Sequence, residues 1–390
     1  MTPERVAAEL RVSAGPGEWR AAWAANGQPV ELYVERGDTQ PPGSIHLGRI
    51  VRVAPGLAAA FVDIGDERPG FLPLREIGHA KPEEGARVLV QVRREAWQDK
   101  APRLSTRLQI GDCAALEKRA AGLGPPARLW PEPGRAAALA LRLPAAPERI
   151  VADDAAVLAE LRGAFPGAQI GLCALPEWPF DLDAVFAEAL APSLALRGGG
   201  SVHLTETRTA TLIDVDSGTA ESGSPERAAL AANRTAAAAI ARQLRLRNIG
   251  GAIVIDFVGL DRRAQRERVR LALEAALASD PAKPQVLGWT RLGHIELLRP
   301  RRGRSLADAL LEPVSGVRHP VTIAHEALRG VMREARATPA ANWRLIVSDK
   351  VAAALHGPAA GALQAVEARL GRRIEIAAEP GREGFDIARL

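Results

Sequence analysis

Two different spacings of hydrophobic residues divide the chain. Between residues 44 and 110, apolar and polar residues alternate in short runs separated by Gly and Pro, and the runs read SIHLGRIVRV, AAAFVDIG, GFLPL and RVLVQVRRE. A period of two places successive side chains on opposite faces of a β-strand. Four or five such strands in so short a span predict a small barrel of the OB type.

The pattern changes between about residues 148 and 298, where strands alternate with longer segments of helical period. One stretch predicts a hairpin, GGSVHLTETRTATLIDVDSG, then a helix from about Glu226 to Arg247, then a short apolar strand, AIVIDF. The last 70 residues predict a small α/β unit with the strands WRLIVS, RRIEIAAE and FDIARL. Residues 114–147 are rich in Ala, Gly and Pro and predict no element with a clear period.

Carboxylates stand at the ends of two of these strands. Asp214 and Asp216 share one face because side chains alternate, and Asp256 ends the next strand. A strand–helix–strand connection normally crosses over right-handed and makes the strands parallel neighbours, so the carboxylates should meet at one edge of a sheet. Grouped carboxylates repel unless a hard cation such as Mg²⁺ lies between them. The competing interpretation is a strand-end turn, which Asp216 followed by Ser217 and Gly218 would also suit.

The predicted barrel carries two phenylalanines, Phe61 and Phe71, in a chain that is only 4% aromatic. Single-stranded nucleic acid is held by stacking bases on aromatic rings inside a basic groove, and Arg94 and Lys100 supply charge on nearby strands. The alternative is that both rings belong to the core, since burial is the usual fate of Phe.

Composition narrows the partners further. The net charge of +5 and pI near 9.7 fit a polyanionic partner, and Arg299, Arg301 and Arg302 form a basic cluster suited to phosphate. Two cysteines without a CxxC pair give neither a disulfide framework nor a thiolate zinc site. No apolar stretch reaches the roughly 20 residues of a membrane span. The charged N-terminus lacks the apolar core of a signal peptide, and we expect a cytoplasmic protein.

Longer motifs add a resemblance to a known family. The barrel segment GRIVRVAPGLAAAFVDIGDERPGFLPL resembles the S1 RNA-binding domain of ribonucleases E and G, and IDVDSG with ARQLRLRNIGGAIVIDF resembles their catalytic signature. The resemblance implies an α/β multidomain fold. Its parts would be an RNase H-like scaffold (1–43 and 111–197, its 5′-sensor region trimmed at about 112–147), an inserted S1 (OB) barrel (44–110), a DNase I-like catalytic α/β unit (198–303), a connector (304–320) and a small C-terminal α/β domain (321–390).

The same resemblance implies an Mg²⁺-dependent endoribonuclease, with Mn²⁺ as an alternative metal. It would cut single-stranded RNA in RNA processing or decay, including rRNA processing, and leave 5′-phosphate and 3′-hydroxyl ends. Asp214 and Asp256 would hold the metal with Asp216 as a third catalytic residue. Phe61, Phe71 and Lys100 would contact RNA.

This chain also departs from the family pattern. Asp216 stands where the family has Asn, Arg208 where an acidic residue is usual, and Gly259 where a second Asp follows I-D-F. The family's R-T-A-G and C-P-x-C motifs have no counterpart here. We therefore expect no zinc, no sensing of a 5′-monophosphate, and a monomer or a zinc-independent dimer. A catalytically weak or inactive RNA-binding protein on the same scaffold remains the alternative.

Overall fold

The structure of the protein is a computed structural model. It describes residues 8–36, 40–66, 68–77, 82–96, 100–110, 113–131, 134–218, 224–312 and 316–390. Residues 313–315 of the predicted connector, and 111–112 and 132–133 of the predicted scaffold, lie outside the described residues.

Strands and helices are mixed along the whole described chain. The strands are β1 (Ala8–Ala14), β2 (Trp19–Ala25), β3 (Gln28–Glu35), β4 (Ile45–Ala54), β5 (Ala59–Asp63), β6 (Gly70–Pro73), β7 (Arg87–Arg94), β8 (Arg103–Ser105), β9 (Ala127–Trp130), β10 (Arg149–Ala152), β11 (Gln169–Leu172), β12 (Ser193–Ala195), β13 (Ser201–Glu206), β14 (Ala210–Asp216), β15 (Gly251–Asp256), β16 (Gln285–Trp289), β17 (Ile295–Arg299), β18 (Trp343–Val347), β19 (Glu375–Ala378) and β20 (Phe385–Arg389). The helices are α1 (Cys113–Ala121), α2 (Arg135–Arg142), α3 (Leu158–Ala164), α4 (Leu182–Leu190), α5 (Pro225–Leu246), α6 (Arg263–Leu277), α7 (Leu306–Leu310), α8 (Pro320–Ala337), α9 (Asp349–His356) and α10 (Ala360–Leu370). Within the described residues, none of these helices is long and apolar enough to cross a lipid bilayer.

The chain divides into two compact units. Unit 1 is built mainly from Trp178–Leu306 together with Ala22–Leu32. Unit 2 contains Glu9–Ala21, Tyr33–Glu177 and Ala307–Leu390.

Unit 1 is organised around a six-stranded sheet in the order β12-β13-β14-β15-β17-β16. The predicted hairpin is confirmed as the antiparallel pair β13–β14, and the predicted crossover is confirmed because β14 and β15 pair in parallel. Helices α5 and α6 pack together and lie against the sheet. The face beneath them buries alternate residues such as Ile213, Val215, Ile253 and Ile255. The opposite face of β14 and β15 is exposed, so their polar residues remain accessible.

Unit 2 contains the predicted barrel. Strands β4 to β8 pair in the order β5-β6-β8-β7-β4, and β4 pairs again with β5, which closes five strands as in S1 or OB domains. Alternate residues, among them Val62, Leu72, Val90 and Leu104, fill its interior. Gly48 allows β4 and β5 to approach closely, because a Cβ there would lie 2.4 Å from the Val62 side chain and 2.9 Å from the Asp63 carbonyl.

The remaining parts of unit 2 surround two smaller groups of strands. Strands β1, β10 and β11 pair in parallel. A three-stranded sheet in the order β19-β18-β20 packs with α8, α9 and α10, which confirms the small α/β unit predicted for the last 70 residues. Residues 114–147 contain α1, β9 and α2, which the sequence pattern did not predict, since these elements are short.

A buried carboxylate ties separate segments of unit 2 together. Glu18 accepts hydrogen bonds from Arg20 at 3.0 Å and from Arg36 at 2.9 Å, and Arg329 of α8 lies 3.6 Å away. Arg20 also binds Glu326 of α8 at 2.9 Å. Burial alone would raise the pKa of Glu18, but the three arginines outweigh it and lower the pKa from 4.5 to about 2. Glu18 is therefore ionised throughout the physiological range.

We expect Glu18→Gln to destabilise the protein at neutral pH by roughly 3–5 kcal/mol, because it leaves three buried or half-buried guanidinium groups without their shared anion. A carboxylate whose pKa is lower in the folded state stabilises fully above its unfolded pKa, here near 4.5, and this contribution is lost as pH falls toward about 2. Urea unfolding at several pH values should show the wild-type advantage shrinking over this range. A difference that stays constant down to pH 2 would contradict the assigned ionisation.

Candidate active site

The candidate site rests on the pairing of two strands. Asp214 of β14 and Asp256 of β15 are register partners in the parallel ladder. Neighbouring strands lie about 4.8 Å apart, so the two residues stand side by side at the carboxyl end of both strands. Both face the exposed side of the sheet, and the Asp256 side chain is 56% exposed. The predicted meeting of these two carboxylates is confirmed by the register.

Two histidines flank the carboxylate pair. His203 of β13 is the register partner of Asp214, on the same exposed face. His294, just before β17, places its Nε2 atom 3.5 Å from Oδ2 of Asp256. The side chains of His203 and Ser201 are also in hydrogen-bond contact, at 3.0 Å. Sequence reasoning missed both histidines. The hairpin that carries His203 was predicted but its register was not, and His294 approaches Asp256 from a turn 38 residues further along the chain.

Asp216 shares the exposed face of β14 but has a local partner. Its Oδ1 atom accepts a hydrogen bond from the backbone N–H of Gly218 at 2.9 Å. This contact fits the strand-end turn that was the competing interpretation of Asp216. Asp216 also lies on the same exposed face of β14 as Asp214, so the two interpretations are compatible.

A buried asparagine fixes the segment that follows Asp256. Asn233 of α5 is fully buried and lies under the chain at Val258. Its amide nitrogen donates to the Val258 carbonyl at 2.8 Å, and its Oδ1 accepts from the Val258 N–H at 2.9 Å. Both hydrogen bonds form with the backbone two residues beyond Asp256, so the helix holds the end of β15 in place. In the sequence, this Asn within an alanine-rich helix was the available signal.

Asp214 and Asp256 together suit a hard cation that leaves some of its coordination positions for water or substrate oxygens. Mg²⁺ is commonly bound by one or two carboxylates, with waters and substrate phosphates completing its octahedron. Two adjacent, exposed carboxylates fit this pattern. No cluster of three or more His, Cys, Asp or Glu side chains placed to enclose a metal occurs among the residues described. The donor set is thus that of an open site rather than a closed structural one.

The barrel presents a stripe of rings and cations. Phe61 and Phe71 are register partners on β5 and β6 and form an edge-to-face pair with centroids 6.0 Å apart. The Arg52 guanidinium lies 4.4 Å from the Phe61 centroid, while Arg103 and then Arg94 follow Phe71 across β8 and β7. Both rings are half-buried, whereas the neighbouring Val62 and Leu72 fill the core. Arg103 was not identified from the sequence.

The predicted basic residues fall into different environments. Lys100 and Arg94 are exposed on the barrel. Arg301 and Arg302 of unit 1 are half-buried, and Arg302 lies 3.6 Å from Glu31. Arg299, in contrast, is 1% exposed, because its guanidinium binds Asp280 and the Ile249 carbonyl, both at 2.7 Å. The prediction that Arg299 contacts RNA is wrong, since this buried ion pair occupies the side chain.

Three further arginines, at positions 262, 266 and 270, lie in helix α6 or just before it. Arg270 forms ion pairs with Glu267 and Glu274, and Arg262 lies 3.5 Å from Glu226. Arg266 donates to the Leu260 carbonyl at 2.7 Å. These contacts are those of a solvated surface helix.

Comparison with known proteins points to one group. A model of the ribonuclease E/G family matches residues 179–302, which contain the carboxylate pair and the sheet that positions it. The chain is 26% identical to Ribonuclease G of Escherichia coli K12, over 97% of this chain and 99% of that protein. It is 29% identical to Ribonuclease E of Nostoc sp. PCC 7120, over 74% of this chain and 55% of that protein.

The chain is thus similar to ribonucleases of the E and G types, and the matching family model covers the region of the candidate site. The similarity to Ribonuclease G of Haemophilus influenzae is of the same extent, 26% identity over 98% of this chain and 99% of the relative. Both alignments to Ribonuclease G, with 484 and 486 positions, are longer than the 390 residues of this chain. These family members therefore contain segments that this chain lacks.

We expect Asn233→Asp to slow the reaction of the site while leaving the fold intact. The substitution keeps the volume and the acceptor for the Val258 N–H, but it replaces the donor to the Val258 carbonyl with an anion. Loss of a buried hydrogen bond costs about 1–3 kcal/mol. Single-turnover RNA cleavage should fall with little change in RNA affinity. Thr235→Val, at a half-buried position of the same helix, is the matched control; equal rates for the two variants would exclude a positioning role for Asn233.

Proposed function

We propose that this protein is an Mg²⁺-dependent endoribonuclease that cleaves single-stranded RNA and leaves 5′-phosphate and 3′-hydroxyl ends. The observation that carries the proposal is the parallel register of Asp214 and Asp256 on an exposed sheet face. Similarity to the ribonuclease E/G family model and to relatives named Ribonuclease G and Ribonuclease E supports the RNA substrate.

In this proposal Asp214 and Asp256 hold Mg²⁺. When bound, the ion lowers the pKa of a coordinated water and withdraws charge from the phosphate. A water molecule loses a proton as its oxygen forms a bond to phosphorus in line with the 3′-oxygen, whose bond to phosphorus breaks. The 3′-oxygen takes up a proton, and the phosphate stays on the 5′ end of the downstream fragment. His294 contacts Asp256 and orients its carboxylate. The hydrogen bonds from Asn233 to the backbone of Val258 help by holding the end of β15 in place.

The stripe of rings and arginines on the barrel binds the RNA substrate. Half-buried rings at Phe61 and Phe71 offer faces for bases, and Arg52, Arg94 and Arg103 lie in the same stripe for the backbone. Lys100, exposed near these strands, adds to the positive charge. Base stacking with flanking cations is the usual arrangement for single-stranded nucleic acid.

The finer architecture is also part of this proposal. Family resemblance assigns a DNase I-like fold to residues 198–303 and an RNase H-like fold to 1–43 with 111–197. The barrel at 44–110, the connector at 304–320 and the domain at 321–390 complete the assignment. The proposed setting is the cytoplasm, with RNA processing or decay, including rRNA processing, as the role.

A second candidate is an RNA-binding protein with weak catalysis or none. Gly259 favours it, since glycine supplies no carboxylate at the position where the family has a second Asp after I-D-F. Arg208 weakens it. This residue lies in the turn before β14, six residues and therefore roughly 20 Å of strand away from Asp214, too far to disturb the metal site directly.

Replacing either carboxylate decides between the two candidates. Asp214→Asn and Asp256→Asn should each abolish cleavage of a labelled single-stranded RNA, because a lost metal ligand costs several kcal/mol of transition-state stabilisation. RNA affinity should change little. Glu206→Gln, an exposed carboxylate on the same sheet, should keep full activity. Cleavage that survives in either Asp variant would reject the assigned site, and wild-type cleavage without Mg²⁺ would reject the metal dependence. A wild-type protein that binds the RNA without cutting it would establish the second candidate.

The barrel can be tested by contrasting a ring with its buried neighbour. Phe61→Ala and Phe71→Ala should each weaken RNA binding by roughly 1–3 kcal/mol, the value of one stacked base. Leu72→Ala, in the core next to Phe71, should instead lower the melting temperature, since Leu→Ala in a core costs about 2–5 kcal/mol. Unchanged affinity in a folded Phe71→Ala variant would remove the stacking platform.

A further inference from the structure

A pocket in unit 2 lies away from the carboxylate pair and has no role in the function proposed above. Strands β1 and β10 are parallel, and their carboxyl ends deliver Ser13 and Asp153 to one edge of their sheet. Helices α8 and α10 contribute side chains to the pocket at this edge, which is a cleft open to solvent. The crevice beyond the carboxyl ends of parallel strands is where ligands commonly bind in α/β sheets.

Arginines dominate the lining of this pocket. Arg329, Arg333 and Arg336 follow one another at spacings of four and three along α8, so they share one face of the helix. Arg369 of α10 joins them. Arg333 and Arg336 are exposed to solvent, whereas Arg329 forms the floor and is 7% exposed.

The floor is held by a chain of hydrogen bonds. Arg329 donates to Oγ of Ser13 at 2.8 Å, and that hydroxyl donates to Oδ2 of Asp153 at 3.0 Å. The backbone N–H of Ala14 donates to Oδ1 of Asp153 at 2.7 Å. Burial outweighs these contacts and raises the pKa of Asp153 above its ordinary value. Its two oxygens are both engaged, so it opposes an incoming anion only weakly.

The second carboxylate of the pocket, that of Asp154, is already paired with an arginine. Asp154 accepts from Arg369 at 2.6 Å and from the Ala156 N–H at 2.8 Å. Although burial alone would raise its pKa, the hydrogen bond from Arg369 and the charge of Arg336 contribute to lowering it. Arg336 itself makes no hydrogen bond to any of the described residues. Four arginines thus face two carboxylates that already have partners, which leaves an excess of positive charge at the mouth.

We propose that this pocket binds a phosphate group of RNA and anchors the substrate outside the cleavage site. The inference rests on the proposed function for its ligand, but its evidence is independent of the carboxylate pair. Guanidinium groups match phosphate oxygens in pairs, and several arginines on rigid elements with satisfied floor contacts are typical of phosphate recognition. The phosphate is either a phosphodiester of the chain or a terminal phosphate.

The test uses the full-length protein with EDTA present, so that binding is measured without cleavage. Two versions of one single-stranded RNA, with a 5′-phosphate or a 5′-hydroxyl, are titrated against wild type, Arg336→Glu and Arg336→Ala. Arg373→Glu and Arg373→Ala are the matched controls, because Arg373 is an exposed arginine of unit 2 outside the pocket lining. Inorganic pyrophosphate, compared with chloride at equal ionic strength, is tested separately through its effect on the melting temperature.

We expect Arg336→Glu to weaken RNA binding about tenfold relative to Arg373→Glu, as for a lost hydrogen bond to a charged group. Arg336→Ala should lower the salt slope of log K by about 0.7, the value for one phosphate contact on a single strand. Equal loss for both RNA versions assigns a phosphodiester, and loss confined to the 5′-phosphate version assigns a terminal phosphate. Pyrophosphate should raise the melting temperature of wild type more than that of Arg336→Glu.

If the folded Arg336 variants bind both RNAs as tightly as the corresponding Arg373 variants, the proposal that the pocket binds phosphate is rejected, even if the wild type cuts RNA. Binding that depends on Arg336 in a protein without Mg²⁺-dependent cleavage would instead retain the pocket and reject the proposed enzyme. If no RNA binds at all, the pyrophosphate measurement decides alone. In that case a melting temperature that rises equally in wild type and Arg336→Glu removes the pocket.

Discussion

The candidate site depends on the register between strands β14 and β15. One face of this sheet is buried under α5 and α6, while the other is exposed. A slip of one residue would turn every side chain of a strand to the opposite face, so the buried residues fix the register strongly. The same apolar contacts that stabilise unit 1 thereby place Asp214 beside Asp256. Stability and chemistry are coupled through the backbone pairing rather than through any contact between the two aspartates.

Much of this arrangement follows from local sequence. The alternating pattern of residues 201–216, the helix that begins at Pro225 and the apolar strand at 251–256 predict a parallel pair, because the crossover has only one common hand. The barrel strands were equally predictable from their period of two. The C-terminal helices and strands followed from the same reasoning, since each element is long enough to show its period.

What sequence could not reveal depends on contacts between distant segments. His294 approaches Asp256, and Asn233 binds the chain at Val258, only because β15, β17 and α5 pack together. Arg103 joins the barrel stripe through a single parallel bridge to Phe71. Arg299 was misjudged for the same reason. Its partner Asp280 lies 19 residues earlier, and nothing in the basic run RPRRGR reveals that one member is buried with a carboxylate.

Buried ion pairs such as Arg299–Asp280 and Arg20–Glu18 also affect the electrostatic potential that the protein presents to a distant polyanion. Each pair is neutral at contact and has the weak, short-ranged field of a dipole. The formal excess of positive charge in this chain is therefore expressed by the arginines that remain at the surface, including those of the barrel stripe and of α8. Diffusional encounter with a polyanion responds to local concentrations of charge within about a Debye length. By withdrawing selected arginines into its interior, the fold gives a modestly basic protein a patterned potential, which orients a polyanion before any specific contact is made.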